Sequence, residues 1–424
     1  MNKIIKRIVI ISDAYLFFSI LYFFFGRYKW DIPSNEKLIL YYIILMIFLN
    51  IGFYLGTTKK KTYSNVKKSH ENLVNTIFII SMITIIIYQI SWVLVILGKF
   101  DIITIITNIG SNYIDRLEGS TDEISLLMQL RTLTWGITLF AYPIGFYRYK
   151  QLQGKIKILF IATLLIDIMA SLNMGISKNI GDIVIIFLII SLIKSRKISN
   201  RIYKIAAVLI LFVVIFGAIQ IIRDRSYGYD QDSNQIEFIN STNRNFTIVD
   251  IITLNNRTIS SVIDRFGFYI SHGYAGLAYS LEIGHENTLG IGISRALMEY
   301  FDSYLGISVE QNTYVYRIDA EYGWPNGIYW STAFVWVAAS FGFILTPVII
   351  MMFGFALTHS IKRFLSYKDI FSLTMSCILF IQVVYLPANF QILQSRPSFF
   401  GTITVVVAYL FTSKRVRKND KFSV

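Results

Sequence analysis

The chain has 424 residues, of which 54% are hydrophobic and only 16% charged, with mean hydropathy +0.54. Soluble domains run about 45–50% apolar and about 25% charged, so a soluble enzyme, a disordered chain and a disulfide scaffold are all disfavoured. One cysteine, Cys377, excludes an internal disulfide, and four histidines leave little for a histidine-rich metal site.

Ten segments read as helices that use lipid as solvent: 8–25, 38–56, 73–97, 131–147, 157–175, 180–194, 205–222, 330–358, 370–386 and 399–412. Each approaches the roughly 20 apolar residues that cross a bilayer core; the sixth and tenth are the shortest. No small-residue cleavage site follows Phe25, so the first span is expected to stay on the chain. Asp13, Asp167 and Asp182 lie inside these runs. Intramembrane acids often mark ion pathways, but Asp13 and Asp182 sit near span ends, beside Arg7 and Lys178 respectively. Asp167 alone is deep, which is thin support for a proton-coupled carrier.

The net charge of +14 is concentrated in short connections. It therefore sets orientation, and no nucleic-acid partner is expected. The loops on one side, with both termini, hold 25 lysines and arginines, against eight on the other side outside one long segment. Both termini are expected in the cytoplasm. The chain then divides into seven spans over 1–222, a large outer loop over 223–327, and three spans with a basic tail over 328–424. In the outer connection at 98–130, the stretch DIITIITNIG suits a helix lying at the interface. Within the long loop, the uncharged run 266–281 is too short to cross comfortably. Crossing would also turn the later basic loops outward, so it reads as a re-entrant or interfacial helix buried in protein.

The long loop holds seven arginines and no lysine: Arg223, Arg225, Arg244, Arg257, Arg265, Arg295 and Arg317. The cytoplasmic loops show the opposite preference, with 18 lysines and seven arginines. A guanidinium fork grips phosphate oxygens in pairs, whereas an ammonium is a solvated point charge. The bias points to a fixed anion such as a pyrophosphate; pairing with the loop's own thirteen carboxylates is the plainer alternative. Aromatic and amide-rich stretches, RSYGYDQDSN at 225–234 and YVYRIDAEYGWPNGIYW at 314–330, suit sugar rings. Membrane interfaces collect aromatics in any case. A helix through 257–282 would gather Arg257, Ser261, Asp264, Arg265, Ser271 and His272 near one face, a polar stripe that marks a candidate site. There is no phosphate-cradling glycine loop, no HExxH and no GxSxG, and GIGISR at 290–295 lacks the strand–turn–helix setting of a nucleotide fingerprint.

Three stretches resemble the Wzy-type polysaccharide polymerases: RFGFYISHGYAGLAYSLE (265–282), LGIGISRALMEYF (289–301) and YRIDAEYGWPNGIYWSTAFVWVAASFGF (316–343). They cover about a seventh of the chain; elsewhere only the layout matches. The resemblance implies an all-α polytopic membrane protein, GT-C-like, with about ten spans. It implies a metal-independent glycosyltransferase with no cofactor that joins undecaprenyl-pyrophosphate-linked oligosaccharide repeat units on the outer face of the cytoplasmic membrane. Membrane lipid, a chain-length regulator and a flippase are the partners it implies. By the same resemblance, Arg265, Arg295 and Arg317 bind lipid pyrophosphate. Arg223 and Arg225 join them from their place at the mouth of the seventh span. The general base is drawn from His272, Asp264, Glu282 and Glu321. His272 stands first, because a free histidine titrates near 6.5, and on that reading His272→Gln is as damaged as His272→Ala. An O-antigen ligase, or a flippase or other transporter, is the alternative.

Overall fold

A computed structural model of the protein describes residues 2–58, 71–97, 122–194, 199–226, 256–326 and 329–421. Among the described residues the regular structure is helical, apart from one isolated bridge between Asn326 and Tyr329. The helices are α1 (Lys3–Phe25), α2 (Asn35–Thr58), α3 (Glu71–Leu97), α4 (Asp122–Thr138), α5 (Ala141–Arg148), α6 (Gly154–Asn173), α7 (Ser177–Lys194) and α8 (Ser199–Ser226). After them come α9 (Arg257–Ser271), α10 (Gly273–Ser280), α11 (Arg295–Leu305), α12 (Tyr314–Tyr322), α13 (Ala333–Tyr367), α14 (Ile370–Tyr385), α15 (Gln391–Gln394) and α16 (Arg396–Lys421). Five of these, α1, α2, α3, α6 and α13, are long and apolar enough to cross a membrane. Shorter apolar stretches lie in α8, α14 and α16. The chain is thus an all-α protein of membrane type. The expected interfacial helix over DIITIITNIG, 101–110, lies outside the described residues.

Two of the expected spans are broken. The fourth, 131–147, divides into α4 and α5 at Leu139 and Phe140. Pro143 has no N–H for the Leu139 carbonyl, and its ring crowds that carbonyl, so the helix cannot run through. The eighth, expected at 330–358, runs on to Tyr367 but kinks at Gly342, whose φ of 70° and ψ of 164° only glycine adopts readily. Before the kink every residue from Ala333 to Ala339 is buried; after it Ile344 is 90% exposed. Beyond 358 the helix carries Lys362 and Arg363, which were expected in a loop. Both stay helical because both find acceptors. Lys362 Nζ donates to the Thr57 carbonyl at 2.7 Å. Arg363 pairs with Asp369 at 3.0 Å and donates to the Tyr409 carbonyl at 2.8 Å.

The described chain forms two compact units. The first comprises Met1–Lys60, Asn234–Lys362 and Leu379–Phe399. In it α2 and α13 run parallel in close contact. A methyl group added at Gly52 would strike the Met351 carbonyl, and one at Gly56 would strike the Thr358 hydroxyl and the Phe355 carbonyl. Glycines four apart let helix backbones approach in this way where no hydrophobic effect drives association. Helix α10 is buried along all eight of its residues. Tyr274 in it shares a hydrogen bond of 2.8 Å with Ser19 of α1 and sets its ring edge-on to Tyr42 of α2. Within the run 266–281, Ile270 to Ser280 are therefore buried in protein, against two membrane-length helices.

The second unit comprises Lys61–Ser233, Arg363–Ile378 and Phe400–Val424. Several of its polar groups are held by neighbours within it. Asp167 accepts from Gln89 at 2.5 Å and from the Tyr142 hydroxyl. Asp182 pairs with Lys178 at 2.8 Å. The Arg131 guanidinium lies over the Tyr88 and Trp135 rings, 4.8 and 4.3 Å from their centroids. Asp13, in the first unit, accepts from Asn50 at 3.1 Å.

Candidate functional site

The candidate site lies in the first unit, around α9, α12 and the connection that follows α1. Asn256 caps α9, its side chain accepting from the Ile259 N–H at 3.2 Å. The buried face of α9 is polar and small: Ser260, Asp264, Gly267 and Ser271, at spacings of four, three and four. Ile259 is 51% exposed. The helix thus turns its polar stripe inward, as expected for a segment whose alternative solvent is hydrocarbon. Ser260 joins the expected stripe; the side chains of Ser261 and Arg257 lie outside the described residues. Gly267 faces the Tyr22 ring, which leaves no room for a Cβ.

Asp264 sits at the middle of this face and is 5% exposed. Its carboxylate pairs with Arg27 Nε at 2.7 Å and accepts from the Tyr22 hydroxyl at 3.0 Å and the Ser260 hydroxyl at 3.2 Å. Arg27 also donates to Ser260 at 3.0 Å. Sequence reasoning missed Arg27. Its signal was only that an isolated arginine follows the end of a span. A buried carboxylate with this many donors is held in place; its oxygens point at the protein, not outward.

His272 joins α9 to α10. Its ring accepts the Trp330 N–H at Nε2, 2.9 Å away. Nδ1 therefore carries the proton and donates to the Phe268 carbonyl at 2.8 Å. The ring stacks on Phe268 at 4.8 Å, and Trp330 lies 6.0 Å away. Burial pushes the imidazole pKa down to about 4, against a smaller upward pull from the Phe268 carbonyl. In this arrangement the ring has no lone pair open to a substrate, so His272 is a poor general base and a good clamp on the Trp330 backbone.

A pH dependence follows. The folded pKa lies below the free value of 6.5, so the unfolded chain binds the extra proton between about pH 6.5 and pH 4. His272 therefore contributes stability in full above pH 6.5. That contribution declines as pH falls to about 4, by roughly 3 kcal/mol in all. Melting of the detergent-solubilised protein across this window should show a slope that flattens in His272→Gln. An unchanged slope means that other groups carry it.

Arg317, on α12, is 19% exposed and spans three acceptors. Nη1 donates to the Gly284 carbonyl at 2.6 Å and lies 3.3 Å from Glu286; Nη2 lies 3.2 Å from Glu321, one turn along the same helix. Glu286 and Glu321 are each 47% exposed. Of the three expected catalytic residues, Glu321 is the one whose carboxylate reaches solvent, and it is the one brought beside an expected phosphate ligand. Glu282, also weighed as a base, pairs instead with Lys37 at 2.5 Å. The stop of α12 shapes this corner: Gly323 takes the left-handed φ of 68°, and Asp319 accepts the Asn326 N–H at 2.9 Å.

The remaining arginines divide. Arg295 begins α11 and pairs with Glu299 at 3.3 Å; Arg396 holds the other oxygen of the same carboxylate at 3.1 Å and stands over the Tyr300 ring. Sequence reasoning missed Arg396, which lies outside the long loop. Arg265 is half-buried and acts electrostatically on the Tyr28 hydroxyl. Arg223 and Arg225 end α8, and their side chains lie outside the described residues. The loop aromatics stack largely on one another: Trp324, 1% exposed, lies 6.1 Å from Trp30, 5.8 Å from Tyr279 and 5.0 Å from Tyr329. Those rings form a packed core. Exposed rings that could meet a sugar are Tyr304 on α11 and Tyr316 on α12. Among the described residues no group of three or more His, Cys, Asp or Glu could hold a metal ion. No family model, no curated protein and no solved structure matches the chain.

Proposed function

We propose that the protein is a polymerase of polyprenyl-pyrophosphate-linked oligosaccharide units, with ten spans, cytoplasmic termini and its site on the outer face of the cytoplasmic membrane. The Arg317–Glu321 pair carries this reading. A fixed guanidinium fork and a solvent-reaching carboxylate stand 3.2 Å apart within one of the three stretches that resemble the polymerase family. Two supports are independent of it. The polar face of α9 is buried in the same unit, and the parallel packing of α2 and α13 agrees with the crossing directions assigned from loop charge.

The step needs two groups. Glu321 takes the proton of an acceptor hydroxyl. The freed oxygen attacks the anomeric carbon of the donor sugar while that carbon's bond to the carrier pyrophosphate breaks. The pyrophosphate leaves with the electron pair. Arg317, with Arg265 and Arg295 as further cations, stabilises the charge that builds there. For Arg317 this requires its Glu286 partner, on the exposed side, to yield to the phosphate.

Loss of the protein in cells that make the lipid-linked unit tests the reading. Single-repeat products that return to a ladder on complementation support it. Uncapped core points to a ligase, and units stranded inside point to a flippase. Topology is tested separately. After Cys377→Ser, single cysteines replacing Lys61 and Lys418 should resist an impermeant thiol reagent applied from outside. Labelling at either position overturns the orientation.

A further inference from the structure

Residues 284–293 run from the Arg317 corner to the break in α13, and their contacts alternate between the two. Gly284 and Glu286 hold Arg317, and the Asn287 carbonyl accepts from Asn312 Nδ2 at 3.1 Å, two residues before α12. His285 and Thr288 meet α13 instead. The His285 ring lies 3.8 Å from where a Cβ on Gly342 would sit. Thr288, fully buried, donates to the Ala339 carbonyl at 2.7 Å. The Ile293 N–H donates to Ser340 Oγ, also at 2.7 Å. Between Thr288 and Ile293 the chain turns through two left-handed residues, Leu289 with φ of 54° and Gly290 with φ of 78°.

The contacts at the break answer a local need. A helix broken at membrane depth needs partners from elsewhere for the backbone groups that its ladder no longer serves. The ladder bond of the Ala339 carbonyl would cross Gly342, and Thr288 supplies a donor there. On the other side of the break, Tyr41 of α2 donates to the Phe343 carbonyl at 2.8 Å, so that side is pinned separately. Leu289 is bulky, 63% exposed and at positive φ, a conformation that persists only where the surroundings impose it. The strap is thus held in a costly turn by contacts at both its ends.

We infer that this strap couples Arg317 to the bend of α13: an anion that displaces Glu286 from Arg317 loosens the strap's hold on Ala339 and Ser340 and frees the break to move. The anion rests on the polymerase reading; the strap and its contacts do not. Such coupling is reciprocal. Contacts at 339–340 keep Glu286 on Arg317, so weakening them helps an anion to bind there.

Inorganic pyrophosphate and the detergent-solubilised full chain test this. Ser340→Ala removes the acceptor of the Ile293 N–H and should tighten pyrophosphate binding, read by titration calorimetry, about two- to tenfold, the usual worth of one hydrogen bond. Thr288→Val should do the same, and Thr288→Ser should return the wild-type affinity. A variant that only misfolds would lose affinity instead. In hydrogen exchange, pyrophosphate should speed the amides of 340–346, which an opening of the break requires. Glu286→Ala should speed the same amides with no anion present. Unchanged or weaker binding in both Ser340→Ala and Thr288→Val, or unchanged exchange in Glu286→Ala, overturns the coupling and leaves the polymerase reading standing. Wild-type protein that binds no pyrophosphate, while Glu286→Ala still speeds 340–346, keeps the strap and overturns the anion site on which the polymerase reading depends.

Discussion

Glu321→Gln is expected to lower polymer formation about 100- to 10,000-fold, the usual contribution of a positioned general base. Glutamine keeps the size of the side chain and its hydrogen bond to Arg317, but it cannot take a proton. Glu321 is 47% exposed, so the substitution leaves no buried group without a partner and protein level and melting temperature should hold. The loss should fall on kcat. Glu321→Asp keeps the carboxylate one methylene short and should recover part of the rate. Arg317→Lys should cost roughly ten- to a hundredfold, because an ammonium cannot span the fork that reaches Gly284, Glu286 and Glu321. Normal polymer from Glu321→Gln, at normal protein level, would move the base to Glu286, the other exposed carboxylate on Arg317.

Arg27→Ala is expected to destabilise the fold by about 3–5 kcal/mol, the cost of leaving a buried carboxylate without its cation. Asp264 is 5% exposed, and without Arg27 it loses its 2.7 Å ion pair while the Tyr22 and Ser260 hydroxyls remain. Asp264→Asn should cost less, since the Arg27 side chain is 30% exposed and can turn to water. The double variant Arg27→Ala with Asp264→Ala should melt above Arg27→Ala alone, because the orphaned charge is gone with its partner. A double variant that melts no higher would mean that Arg27 stabilises by packing rather than by charge. A third arrangement at the same corner, His272 on Trp330, contributes through neutral hydrogen bonds and should respond to pH rather than to charge removal.

The amino-acid sequence by itself determined the class of the molecule and the places of its helices. Runs such as 38–56 and 73–97 have no soluble solution, since a backbone in hydrocarbon must satisfy itself within a helix. It also singled out 266–281 as an apolar run inside the long loop, and α10 within it is buried in protein. The polar stripe on α9 was visible too: Asp264, Ser271 and His272 of it are buried, because residues at helical spacing share a face.

Partners were decided by tertiary structure. Spacing said that Asp264 and His272 share a face; it could not say that Arg27, in a distant connection, would hold one and the Trp330 backbone the other. A buried charge or ring nitrogen must be satisfied by whatever element the fold brings to it, and that element carries no local signature. Hence His272, first among the bases by free pKa alone, has both nitrogens occupied, while Glu321 keeps a carboxylate that reaches solvent. Arg396 and Glu299, ninety-seven positions apart, meet for the same reason. The breaks in α13 and between α4 and α5 follow local rules for glycine and proline, but where a long apolar run bends depends on what it must pack against. Gly342 marks the point where α13 passes from a wholly buried stretch to one with a buried face on α2 and an exposed face opposite.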